Sequence, residues 1–189
     1  MNRLFQVIAL QVLIVLINPA HAQTPIAVLD FELNDITALP NIPAEQVRTA
    51  SMRPLLETAL NQFGSYRLVA VDAKKQAAAN ANFGYLFRFD ETAAKLGLDA
   101  GADWIVVAQH SKPSFLFSYL IAHLINVKTG RQIARFDIEL KGNHAKVTQH
   151  GINALARKID QTISKQSAKP KATATGSAGT AVSASAGHG

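Results

Sequence analysis

Three acidic residues lie where the first apolar stretch of the chain ends, and they could bind a cation or a basic partner. Asp30, Glu32 and Asp35 follow the apolar run 26–29, which is typical of a buried parallel strand. In open α/β sheets, ligands bind outside the carboxyl ends of the strands, and carboxylate oxygens are ligands of hard cations. No EF-hand spacing accompanies the trio, and acidic residues at strand exits are also common solvated caps. Both interpretations stay open.

Histidine and tryptophan are the other candidate functional residues. His144 and His150 are six residues apart, so an ideal helix does not bring them to one face as a zinc pair needs. His123 shares one face of a predicted strand with apolar residues such as Ile121 and Ile125, which favours a half-buried, hydrogen-bonded histidine. His110 follows an apolar strand and could lie near a loop mouth. Trp104, the single tryptophan, begins that strand, where it is either a core anchor or the rim of a partner site.

Catalytic and cofactor motifs are missing from the sequence. It contains no G-x-G-x-x-G or G-x-x-x-x-G-K-[ST] phosphate loop, and no G-x-S-x-G nucleophile elbow in the part expected to fold. The absence of cysteine excludes disulfides, thiolate metal sites and cysteine nucleophiles. We therefore predict a protein that is not an enzyme and that uses no cofactor and no metal. The residues that we expect at a binding surface are Asp30, Glu32, Asp35, Trp104 and His110.

Both ends of the chain are predicted to lie outside the fold. Residues 1–22 combine Arg3, an apolar core of about fourteen residues and small residues before a cleavage point after Ala22, which is the pattern of a secretory signal peptide. Residues 167–189 are rich in Ala, Ser and Gly and have too few apolar side chains to offset their ordering entropy, so we predict a disordered tail. A single domain over residues 23–166 remains, exported to the periplasm.

The elements that must position these residues follow from hydrophobic periodicity. Apolar runs predict strands at 26–31, 66–71, 103–108 and 114–127, and the alternating segment 134–140 predicts a strand with one face in water. Helical spacing predicts helices over 44–63, 90–98 and 145–165, the first kinked or divided at Pro54. Phe83, Tyr85, Phe87 and Phe89 alternate as an extra edge strand or as a loop presenting aromatics would. The predicted fold is mixed α/β (α+β), with a mixed five-stranded sheet and helices packed on it.

This order of elements and three segments resemble a known periplasmic α/β domain. The segments are IAVLDFELND at 26–35, GADWIVVAQ at 101–109 and LINVKTGRQIA at 124–134. They resemble the domain shared by the curli-secretion lipoprotein family and the amino-terminal domain of TolB, and small secreted relatives of unknown function. The resemblance implies an envelope-interaction module without catalytic residues. The chain has neither a lipidated Cys nor a long amphipathic insertion, so a channel role is not implied.

Charge is unevenly distributed, and this bears on the partner. Residues 23–103 hold 7 basic and 10 acidic side chains, whereas residues 104–189 hold 11 and 3. A basic half could attract anionic lipid head groups, polyanions or an acidic protein, or it could simply solubilise the chain. An exported protein without aromatic-basic signatures is not expected to bind nucleic acid. We also expect no transmembrane segment in the mature protein, although it could touch a membrane surface.

Together these features predict a non-catalytic periplasmic interaction module, an accessory or assembly factor for an envelope complex with an envelope or periplasmic protein as partner. The alternative is an accessory protein of a periplasmic redox enzyme, such as a quinoprotein alcohol dehydrogenase system. A hydrolase would need a constellation of residues that the sequence does not supply.

Overall fold

A computed structural model describes residues 23–142 and 145–168 of the chain. The predicted signal peptide at 1–22 lies outside the described residues, as does the tail from residue 169. The last helix runs to Ala168, two residues beyond the predicted domain boundary. The strands are β1 Thr24–Val28, β2 Glu32–Asp35, β3 Tyr66–Val69, β4 Trp104–Lys112, β5 Phe117–Asn126 and β6 Arg131–Lys141. The helices are α1 Pro43–Asn61, α2 Ala73–Ala79, α3 Tyr85–Arg88, α4 Asp90–Asp99 and α5 Ala145–Ala168.

The strands form one mixed sheet in the order β3-β1-β4-β5-β6, which confirms the predicted α/β fold. β3, β1 and β4 run parallel to one another. β5 runs antiparallel to β4, and β6 runs antiparallel to β5. β2 pairs with the far end of β4 on the side where β1 pairs with its near end. The sheet thus has six strands, and the predicted count of five is wrong because one predicted strand is interrupted and resumes as β2.

The interruption between β1 and β2 is held by a side chain from α2. Leu29 still donates its amide to Val106 O at 3.0 Å, but Asp30 leaves the ladder. Gln76 takes over both backbone groups of Asp30, accepting from its amide at 3.0 Å and donating to its carbonyl at 3.2 Å. A buried backbone group must be paired somewhere, and here a glutamine replaces the missing strand partner.

Helices cover both faces of the sheet and divide the core in two. α1 and α5 pack on one face around Met52, Leu56, Leu120 and Ile152. α4 packs on the other face with Leu29, Ile105 and Ile125 among its core neighbours. Alternate residues of β1 and β4 point into the two cores, which is why these strands read as continuous apolar runs.

The predicted division of the first helix and the predicted aromatic edge strand are wrong. α1 continues through Pro54 as one helix, with the proline on its exposed side, so it is not divided into two pieces. The aromatic segment 83–89 is not an edge strand, because its middle part, Tyr85–Arg88, forms one helical turn. Phe83 and Phe89 lie outside that turn. That turn starts after Gly84, whose φ of 72° suits a residue without a side chain. Its alternating aromatics mimicked the two-residue period of a strand.

The last strand agrees with its prediction, and a glycine forms the turn that precedes it. Gly130 in the turn between β5 and β6 has φ 66° and donates its amide to Asn126 O at 2.9 Å. Phe136 and Leu140 are buried, whereas Arg135, Asp137 and Glu139 are exposed. Within the described ranges, no helix has the length and apolar character that a membrane span requires.

Candidate functional site

The carboxyl ends of β2 and β4 bring two loops together at one end of the domain. Asp35 and Lys112 are register partners at the last step of the β2–β4 ladder. One residue later, Ile36 N donates to Lys112 O at 3.2 Å, so loops 36–42 and 113–116 leave the sheet side by side. This is the end at which ligands of α/β sheets commonly bind.

A buried ionic network lies beneath these loops. Lys112 Nζ lies 3.2 Å from Glu45 Oε1 and 3.9 Å from Asp35 Oδ2, and all three side chains are almost fully buried. Arg48 Nη1 lies 3.4 Å from the other oxygen of Glu45. Two cations thus share two carboxylates. The arrangement compensates each charge, which buried ions require.

The Asp35 carboxylate also shapes the loop that follows it. Its Oδ1 accepts hydrogen bonds from Thr37 N and Thr37 Oγ1, and its Oδ2 accepts one from Asn41 N at 3.1 Å. Burial opposes the charged form, but these hydrogen bonds and Lys112 outweigh it and hold the pKa of Asp35 below its usual 3.8. Because the carboxylate stays ionised, it fixes both ends of loop 36–41.

Arg48 joins the network to the other helix of this face. Its Nε donates to Thr148 Oγ1 at 2.9 Å and its Nη2 donates to Gly142 O at 3.2 Å. Gly142 N in turn donates to Leu116 O at 2.9 Å. One guanidinium therefore connects α1, the start of α5 and the end of β6 to the β4–β5 loop.

His110 is fully buried and lies in a polar chain between α1 and β5. Thr49 donates its hydroxyl hydrogen to Glu45 O at 2.8 Å, so it can only accept from His110 Nδ1, which lies 2.8 Å away. In the neutral ring, Nε2 then accepts from Ser118 Oγ at 3.0 Å. Burial first, and then the charges of Arg48 and Lys112, lower the pKa of His110 from 6.5 to about 4.

Because the pKa of His110 is lowered in the folded protein, we predict that acid lowers the free energy of unfolding. Its folded pKa lies below its unfolded pKa, so its contribution is fully present above about pH 6.5 and is lost as the pH falls towards 4. Between pH 7.5 and 4.5 the loss from this group amounts to about 2–3 kcal/mol. Urea unfolding at the two pH values should show that loss in the wild type beyond the loss in His110→Gln, whose amide can bond both hydroxyls. Equal losses in the two proteins would contradict the assignment.

The two loops above the ionic network carry four exposed apolar side chains. We call these side chains the apolar loop end: Ile36, Leu39, Phe115 and Leu116. They are between 55% and 79% exposed. Loops 36–42 and 113–116 contain no charged residue. The Phe115 ring lies with its centroid 5.5 Å from Lys112 Nζ, which ties the patch to the network beneath it. Large exposed apolar side chains on two neighbouring loops are typical of an interaction site.

The predicted acidic trio does not converge in the structure. Asp30 is exposed and pairs with Arg53 Nη1 at 3.1 Å. Glu32 accepts hydrogen bonds from Asn80 Nδ2, Gly84 N and Gln109 Nε2, and Asp35 belongs to the ionic network. Glu32 and Asp35 are three residues apart in an extended strand, so they point to opposite faces. No group of three His, Asp or Glu residues that could hold a metal occurs in residues 23–142 and 145–168.

The predicted aromatic and histidine candidates lie in the interior. Trp104 is 7% exposed and packs in the core on the α1–α5 face, and His110 is within the network described above. His123 is stacked on Phe87, with ring centroids 3.9 Å apart, and neither of its ring nitrogens has a hydrogen-bond partner among the described residues. Burial lowers the pKa of His123, so the ring is favoured in its neutral form. The expected hydrogen bond of His123 is therefore not seen.

Sequence reasoning missed the network and the apolar loop end. Glu45, Thr49 and Met52 occupy consecutive buried positions of α1, whereas the apolar Val47 is exposed. The signal was present, because positions 45, 49, 52, 56 and 59 follow helical spacing and the first two are polar. Lys112, a cation at the end of an otherwise apolar strand, was the second signal.

Comparisons with known proteins give a family and a fold. The profile of the family DUF3280, described as a protein of unknown function (DUF2380), matches residues 24–159. No curated protein matches the chain. The solved structures similar to it include Escherichia coli LpoB, at 18% identity and TM-score 0.43, covering 61% of this chain and 56% of that one.

Two other similar structures are TolB and PelC. TolB from Acinetobacter baumannii is 15% identical, with TM-score 0.47 over 76% of this chain and 29% of that one. The PelC dodecamer from Paraburkholderia phytofirmans is 12% identical, with TM-score 0.47 over 76% of this chain and 89% of that one. The chain thus spans about half of the LpoB structure and under a third of TolB. TolB, which the sequence resembles, is thus among the similar solved structures, and the family match is to a family of unknown function.

Proposed function

Since the chain belongs to the DUF3280 family, described only as of unknown function, we propose from its own geometry that it is a non-catalytic interaction module of the cell envelope. It acts as an accessory or assembly factor and binds another envelope protein through the apolar loop end. The predicted signal peptide supports a periplasmic location for this interaction.

The observation that carries the proposal is an exposed apolar surface on a rigid base. The exposure of Phe115 and Leu116 to water is unfavourable, and a protein partner that buries these side chains would gain the corresponding hydrophobic free energy. An aromatic side chain in an uncharged setting also matches the composition of interface centres. The Asp35 carboxylate accepts a hydrogen bond from Asn41 N and Arg48 donates one to Gly142 O, which holds the backbone beside the patch, so less conformational entropy is lost on binding.

Site-directed photocrosslinking in the native host tests this proposal. Benzoylphenylalanine replaces Leu116 in the full chain, and a matched variant carries it at Arg157, an exposed position of α5. Arg157 lies twelve residues from the start of α5, which is about 18 Å along the helix. We expect a protein adduct of discrete mass from position 116 and none of that mass from position 157. Adducts of the same mass and yield from both positions, or none from 116, would refute the proposal.

A further inference from the structure

A groove lies between β6 and the amino-terminal part of α5. It has a volume of about 420 Å³ and an apolar floor formed by Ile138, Val147, Gly151 and Ala154. Ile138 and Val147 pack against the core but remain partly exposed. Gly151 lets the helix approach the sheet closely, because a Cβ there would meet Leu140 Cδ2 and lie 3.3 Å from Leu120 Cδ1. The groove is therefore built into the packing of α5 on β6.

The strand beside this groove is an open edge. β6 spans eleven residues, Arg131–Lys141, and ends the order of the sheet. Among the described residues it pairs with β5 on one side, and no strand pairs with its outer side. An edge strand presents a row of backbone N–H and C=O groups that can accept another extended segment. The side chains of such a segment alternate, so every second one would enter the groove.

The rim of the groove is basic. Lys146 lines it from α5, whereas Glu139 and Lys141 line it from β6, where they alternate with Ile138 and Leu140 and so point to the other face of the sheet. Glu139 Oε2 lies 3.8 Å from Lys141 Nζ, and both side chains are largely exposed, so this pair is weak. His150 also lies on the rim, where its Nδ1–H donates to Lys146 O at 3.2 Å. Charge complementarity thus favours an acidic segment.

We infer that β6 and α5 together bind an extended acidic peptide segment of a partner protein, which adds as a strand to the β6 edge. Backbone hydrogen bonds to β6 give the affinity, the apolar floor accepts alternate small apolar side chains, and Lys146 pairs with a carboxylate. This inference does not depend on the proposed role of the apolar loop end, since it uses a different surface.

A second copy of the chain fits this edge less well. If two β6 strands paired about a two-fold axis, both α5 helices would lie on the same face of the joined sheet. The side chains that the second β6 directs to that face, Phe136, Ile138 and Leu140, already pack against its own core. They could not also fill the groove, and the two basic rims would approach each other.

A random dodecapeptide library displayed on phage, selected on the purified full chain, tests the inference. We expect enriched peptides with apolar residues at alternate positions and acidic residues between or beside them. The best peptide, synthesised and labelled, should bind with a Kd between about 10 µM and 500 µM by fluorescence anisotropy. N-methylation of alternate backbone amides in one phase should abolish binding, and N-methylation in the other phase should leave it within threefold.

Protein variants then locate the peptide. Lys146→Glu should weaken binding at least fivefold, whereas Lys158→Glu, the same charge change on the exposed side of α5, should change it less than twofold. Ala154→Trp should block the groove, and thermal melts should confirm that each variant is folded. The inference would be overturned if no peptide were enriched, or if a folded Lys146→Glu variant bound the peptide as tightly as the wild type. A dimer formed through β6 would also overturn it.

Discussion

Replacing Lys112 with methionine is expected to lower the free energy of unfolding by about 3 kcal/mol, because it removes a buried cation and leaves its carboxylates underpaired. Glu45 and Asp35 lie 3.2 and 3.9 Å from Lys112 Nζ, in a region where water cannot replace the lost charge. The cost lies towards the low end of the range for broken buried pairs, because Arg48 still faces Glu45 at 3.4 Å.

Guanidinium denaturation of Lys112→Met measures this cost. The matched control is Lys141→Met, which makes the same change at a side chain that is 82% exposed and pairs with exposed Glu139. The control should lose less than about 0.5 kcal/mol. A loss in Lys112→Met no larger than in the control would show that the network does not stabilise the loop end.

Truncating Leu29 to alanine should cost about 2–5 kcal/mol through lost burial and the cavity left behind. Leu29 is fully buried in the core on the α4 face, and its amide holds the last β1-to-β4 hydrogen bond before the chain leaves the ladder. The cost should appear as a lower midpoint of denaturant unfolding with an unchanged slope.

Arg135→Ala serves as the surface comparison for that variant. The guanidinium of Arg135 forms an ion pair with Asp137 at 3.1 Å, and both side chains are about half exposed. Its removal should cost less than about 1 kcal/mol. A neutral Leu29→Ala combined with a strongly destabilised Arg135→Ala would contradict the strand and core assignments.

Periodicity predicted most of the fold because each core strand and helix carries its own pattern. The apolar runs at 26–29 and 104–108 and the alternation at 134–140 correspond to buried strands and to a half-exposed one. What periodicity could not show is a backbone group paired by a distant side chain. Gln76 holds the break between β1 and β2 from 46 residues away, and no local pattern marks that contact.

The candidate site was harder to predict because its members are far apart in sequence and individually unremarkable. Glu45 and Lys112 meet only after β2 and β4 pair and α1 packs across them. The acidic trio, by contrast, is adjacent in sequence but divided by the strand pleat, so Asp30, Glu32 and Asp35 bind separate partners. Adjacency in sequence was thus a poor guide to adjacency in space at this end of the sheet.

The central claim is that a partner protein covers the apolar loop end, and the yield of the adduct from position 116 tests it most directly. The probe at 116 is placed in chains that also carry either Phe115→Ser or, as a surface control, Arg135→Ser. Phe115 is 55% exposed in loop 113–116 and belongs to neither core cluster, so both chains should remain folded, although the ring's contact with Lys112 is lost. We predict that Phe115→Ser reduces the yield at least fivefold and that Arg135→Ser leaves it within twofold of the parent. Equal yields in the two chains would contradict the claim.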